Sequence, residues 1–126
     1  MSGIDDSKLH QILMAMQSKM IEDNRALTST RAQFQAKDRE KRLADMTLRE
    51  LAPLPDSVRS YESVGKMFML SDMPTMKKKL TDRSNEVTES MRVLEKKQIY
   101  LQKQMEETNA NLRDIVHQSS SATTSS

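Results

Sequence analysis

Val58-Arg59-Ser60-Tyr61-Glu62-Ser63-Val64-Gly65-Lys66-Met67-Phe68-Met69-Leu70 is the stretch on which the fold turns. It carries Gly65, one of two glycines, and Tyr61 and Phe68, two of the four aromatic residues. Val58, Tyr61 and Val64 alternate imperfectly with polar residues, and Met67 to Leu70 is a continuous apolar run of the kind that implies burial on both faces. Glycine takes a positive φ at least cost, so the stretch predicts a short β-hairpin turning at or beside Gly65. A lone two-stranded hairpin is marginal in water. If this one persists, something must cover it or extend it.

Breakers isolate the stretch on both sides. Ahead of it, Ala52-Pro53-Leu54-Pro55-Asp56-Ser57 ends any helix, because proline lacks an amide donor and clashes with the preceding turn. Behind it, Ser71-Asp72-Met73-Pro74 reads as a helix start. The Asp72 carboxylate can accept from a free first-turn amide, and proline fits that turn.

The flanking segments contain no interior breaker. From Asp5 to Leu51 the chain has neither Pro nor Gly, enough for one helix of about 70 Å at 1.5 Å per residue. Its apolar residues recur every seven positions, at Leu13, Met20, Leu27, Phe34 and Leu48, with Lys41 interrupting. A companion register runs Leu9, Met16, Asp23, Thr30, Lys37, Ala44, Leu51, with its polar members in the middle. From Met73 to about His117 the same grid reads Met73, Leu80, Val87, Leu94, Leu101, Thr108, Ile115, with Lys77, Ser84, Met91, Gln98, Met105 and Leu112 beside it. Such heptad seams drive coiled-coil pairing. The expected fold is all-α dominated: a long antiparallel two-helix coiled coil joined by a short β-hairpin. Residues 1–118 form the domain, with a helix at about 5–51, a linker and hairpin at 52–71 and a helix at 72–117. The Ser/Thr-rich residues 119–126 are of low complexity and are expected to be disordered. The bend would lie at one end and both termini at the other.

Composition narrows the function. Of 126 residues 36% are hydrophobic and 3% aromatic, too few bulky side chains for a compact catalytic core. There is no cysteine, hence no disulfide, thiolate nucleophile or cysteine-bound metal. His10 and His117 stand near opposite ends, which argues against a zinc site. No Ser/His/Asp set and no phosphate-binding glycine loop can be assembled. The chain is expected not to be an enzyme and to need no cofactor. No secretory signal or membrane-spanning run is recognisable, so the expected address is cytoplasmic, with the nucleus also open, and no membrane partner is expected. Net charge is +2, and the one concentrated basic patch is Lys77-Lys78-Lys79, which is too little for nucleic acid to be an expected partner.

Methionine is abundant, at 11 residues. Two readings stand. Met14, Met16, Met20, Met91 and Met105 fall on or beside the seams and would serve as core. Alternatively, flexible and polarizable thioethers make a deformable binding surface. Leu9, Ile12, Leu13, Met14 and Met16 are apolar over more than one helix face and would stand opposite Leu112, Ile115 and Val116. That is a binding hint, although fraying or self-association would also account for it.

Tyr61-Glu62-Ser63-Val64-Gly65-Lys66-Met67-Phe68-Met69-Leu70 resembles the signature of the β-class prefoldin subunits, and Leu94-Glu95-Lys96-Lys97-Gln98-Ile99-Tyr100-Leu101 extends the resemblance into the second helix. The Met-rich first helix and the Ser/Thr tail match no family feature. The resemblance implies a subunit of a hetero-hexamer of two α-class and four β-class chains, so that this chain would join two α-class and three further β-class subunits. It implies hairpins assembled into β-barrels, with coiled coils hanging from them. The activity implied is an ATP-independent cochaperone that captures unfolded or nascent chains such as actin and tubulin and delivers them to the cytosolic chaperonin. Carried over, Tyr61, Val64, Gly65, Met67, Phe68, Met69 and Leu70 would form the subunit interface. Leu9, Ile12, Leu13, Met16, Leu112, Ile115 and Val116 would be client-binding tips. The alternative is a coiled-coil tether or scaffold that pairs lengthwise with partner helices, in which case the helices would not depend on the hairpin.

Overall fold

A computed structural model describes residues 6–124, with side chains described through residue 118. The element order is α1 (Asp6–Leu51), β1 (Ser60–Val64), β2 (Met67–Ser71) and α2 (Met73–Thr124). Both long helices follow from uninterrupted stretches of helix-compatible residues. The first ends where expected, with Ala52 N–H still donating to Leu48 O at 2.8 Å and Leu54 N–H closing a tighter turn on Leu51 O at 3.1 Å before the prolines forbid more.

The start of α2 is capped as the sequence predicts. Asp72 precedes the first helical residue, and its carboxylate accepts from both the hydroxyl and the backbone N–H of Thr75. These bonds, the side-chain one foremost, hold the Asp72 carboxyl below the usual aspartate range. The far end of α2 differs from expectation. The helix runs to Thr124 instead of stopping near His117, and no Gly or Pro interrupts Ser119 to Thr124. The side chains of the expected disordered tail, residues 119–126, lie outside the described residues.

The heptad grids describe the burial. Every position of both registers, on both helices, is buried or half-buried. That includes Lys37 and Lys41, a side-chain type whose long aliphatic stem can lie along apolar surface. The chain divides into two compact units. One is Gln33–Leu94, where Ala44, Met73, Val87 and the polar Ser60 and Ser84 are buried. The other combines the described parts of Met1–Ala32 and Glu95–Ser126, where Leu27 and Leu101 are buried along with Thr30 and Thr108. Thr30 resolves its own burial by donating to Ala26 O at 2.7 Å. Asp23 does not: its Oδ2 is buried with no hydrogen-bond partner among the described residues.

The hairpin is antiparallel, pairing Ser60 with Ser71, Tyr61 with Leu70, Glu62 with Met69, Ser63 with Phe68 and Val64 with Met67. Gly65 and Lys66 form its two-residue turn. Gly65 has φ +63°, the one positive φ among the described residues, a conformation glycine takes at least cost.

Candidate functional site

Side chains alternate across a strand, so the register sorts the hairpin into two faces. Tyr61, Ser63, Phe68 and Leu70 share one. Val64, Met67 and Met69 share the other with Glu62 and the two terminal serines. The expectation that Met67 to Leu70 is buried on both faces is corrected for the single chain. Met67 is 71% exposed, Phe68 73%, Met69 57% and Leu70 65%, and Tyr61 and Val64 are exposed as well. The reason is topological: the sheet has only two strands, so most of each face lacks a neighbour. A continuous apolar run therefore stands in solvent on both faces, an arrangement monomeric proteins rarely leave uncovered.

Polar contacts hold the hairpin against the start of α2. Lys79 Nζ lies 3.0 Å from Glu62 Oε2, and Lys77 Nζ donates to Leu54 O at 3.2 Å in the linker. Two of the three lysines in the basic patch are thus engaged in positioning the hairpin. Ser60 Oγ donates to Ser71 O and closes the open end of the strand pair. Farther along the same unit, Arg83 of α2 pairs with Glu40 of α1, and Ser84 Oγ donates to Asp45 Oδ1 at 2.7 Å. Lys37 bonds the other Glu40 oxygen at 3.3 Å. The Lys37 hydrogen bond, with Arg83 adding to it, holds the Glu40 carboxyl below the usual glutamate range.

The seven expected tip residues all fall in the unit formed from the N-terminal part of α1 and the C-terminal part of α2. Leu9, Leu13, Met16, Leu112 and Ile115 are half-buried members of the seam. Ile12 and Val116 lie outside it and are exposed. Sequence reading missed Ile21, which is 55% exposed, as is Met14. The two are seven residues apart and share a face of α1, so the heptad count that located the seam could have located this second stripe. Leu43 and Met46 on α1, also exposed, were likewise missed. Among the described residues no group of three or more histidine, cysteine, aspartate or glutamate side chains could hold a metal ion. No described helix is long and apolar enough to cross a membrane.

Comparison with known proteins agrees with this geometry. Residues 14–119 match the prefoldin subunit family. Prefoldin subunit 1 of Tetraodon nigroviridis is 29% identical over 116 residues, covering 92% of this chain and 95% of the relative. Prefoldin subunit 1 of Homo sapiens is 27% identical over 111 residues, covering 88% and 91%. A crystal structure of the prefoldin beta subunit from Thermococcus strain KS-1 has the same fold, with TM-score 0.75 at 20% identity over 90% of this chain and 96% of that one. The chain belongs to the prefoldin family, a family of chaperones, and is a subunit of the prefoldin cochaperone with other prefoldin subunits as partners.

Proposed function

We propose that this prefoldin subunit joins two α-class and three further β-class subunits through its hairpin, and that the assembled hexamer holds unfolded or nascent polypeptides without ATP. Actin- and tubulin-type chains are the clients in this reading, and the cytosolic chaperonin receives them. Tyr61, Val64, Gly65, Met67, Phe68, Met69 and Leu70 form the joining surface. Leu9, Ile12, Leu13, Met16, Leu112, Ile115 and Val116 grip client. The domain spans residues 1–118, and the protein works in the cytoplasm.

One observation carries the reading: a hairpin with unpaired edges leaves apolar side chains exposed on both faces, with Phe68 at 73%. Strands from sister chains would satisfy those edges and cover those faces together. Holding a non-native chain needs no catalytic group. Many weak apolar contacts on separate arms sum through multivalency.

Co-expression with five sister subunits, followed by native mass spectrometry, tests assembly. A hexamer containing one copy of this chain is expected, and recovery of this chain alone refutes the reading. Purified hexamer should then suppress aggregation of denatured actin equally with and without ATP. Replacing Leu13 and Ile115 by serine should weaken that suppression without changing assembly, and undiminished suppression removes the tips from the client surface.

A further inference from the structure

We propose that Met67 and Met69 are an oxidation site through which peroxide blocks assembly of the free subunit. The proposal rests on the reading of the hairpin as the joining surface. Both thioethers lie on one face of β2, two residues apart and about 7 Å along the strand. They are 71% and 57% exposed. Met73, at the head of α2, is 1% exposed and serves as an internal contrast. The chain has no cysteine, so no thiol competes for oxidant and the thioethers are its peroxide-reactive sulfurs.

The step is a two-electron oxidation. A sulfur lone pair attacks one oxygen of hydrogen peroxide, the O–O bond breaks, an S–O bond forms, and the other oxygen leaves as water after proton transfer. Sulfur is oxidised and peroxide is reduced. The product is a polar, chiral sulfoxide, which thiol-dependent methionine sulfoxide reductases return to the thioether as two thiols become a disulfide and water is released. On Met67 or Met69 the new oxygen stands on a surface that assembly would cover. Covering a polar group without a hydrogen-bond partner is unfavourable enough to weaken association by about tenfold or more for each sulfoxide. Once assembled, the same sulfurs are shielded. Oxidant would therefore act on free subunits and spare finished complexes.

The test exposes purified full-length chain to hydrogen peroxide and follows each methionine by peptide mass spectrometry. Met67 and Met69 should oxidise at least about tenfold faster than Met73. Partly oxidised chain is then mixed with sister subunits, and the incorporated and excluded fractions are compared. Sulfoxide at positions 67 and 69 should be concentrated in the excluded fraction, and a sulfoxide reductase should restore incorporation. A Met14→Leu, Met46→Leu chain loses two exposed methionines outside the joining surface, keeps Met67 and Met69, and should lose incorporation after peroxide as the parent chain does. Equal sulfoxide content in the two fractions overturns the proposal, as does a Met14→Leu, Met46→Leu chain that peroxide no longer excludes. If untreated chain fails to assemble, the joining-surface reading itself falls. If untreated and oxidised chains assemble alike, only the oxidation proposal falls.

Discussion

Ser84 of α2 donates a hydrogen bond to the carboxylate of Asp45 on α1 across 2.7 Å, with Ser84 buried in the seam. The contact fixes how the two helices meet in the unit that carries the hairpin, because a donor and an acceptor at single positions favour one pairing over a slipped one. Ser84→Ala should destabilise this unit by about 1–2 kcal/mol, the scale for a hydrogen bond to a charged group. Urea titration followed by circular dichroism measures it; an unchanged midpoint would mean that water replaces Ser84 without loss.

Phe68→Asp should abolish incorporation into the hexamer while leaving helix content nearly intact. The exposed Phe68 contributes little to its own chain, so the substitution acts at the joining surface. Size-exclusion chromatography of co-expressed subunits and far-ultraviolet circular dichroism read the two halves of this expectation. A tether acting through its helices would instead tolerate Phe68→Asp and fail with Leu94→Asp.

Gly65 has φ +63°, yet a Cβ built there meets nothing within 4 Å. Only backbone strain opposes a side chain, at about 1–2 kcal/mol for an ordinary L-residue in the left-handed region. Gly65→Ala should therefore weaken assembly by about tenfold. Gly65→Asn should recover most of the loss, because asparagine tolerates that conformation. Equal behaviour of the two variants in an assembly titration would show that the turn geometry is not what matters.

The unpartnered Asp23 oxygen is a weak point in the seam. Asp23→Leu should slow amide hydrogen exchange in residues 16–30 and raise stability by about 1–2 kcal/mol, since it replaces an unsatisfied polar atom with an apolar side chain. Faster exchange in the variant would mean that the aspartate stabilises the pairing.

Acid should loosen the hairpin-bearing unit. The folded-state pKa of Glu40 is depressed, chiefly by the Lys37 hydrogen bond and also by Arg83. Its contribution to stability is thus complete above the ordinary glutamate range and fades as pH falls through the lower, folded value. Asp72, depressed by its bonds to Thr75, acts in the same direction. Thermal melts between pH 7 and pH 3 should show a smaller acid loss for Glu40→Gln than for the parent chain. Since the group is only half-buried, the effect should also shrink in high salt.

The two helices, their seams and the bend were legible in the order of residues alone. Those features rest on local physics: a seven-residue repeat, prolines at 53 and 55, a cap at Asp72, and a glycine where φ must be positive. Each can be read without knowing what lies across the molecule. That Met67 to Leu70 stand in solvent in the single chain became visible with the folded arrangement, because an apolar run in a strand has the same appearance whether its own chain or a partner covers it. The roles of Lys77 and Lys79 were also decided there. A basic run shows no sign in sequence of the carbonyl of Leu54 or the carboxylate of Glu62 that folding brings to it. Electrostatic pairing across 17 or 23 residues depends on distances that exist only once the chain has turned back on itself.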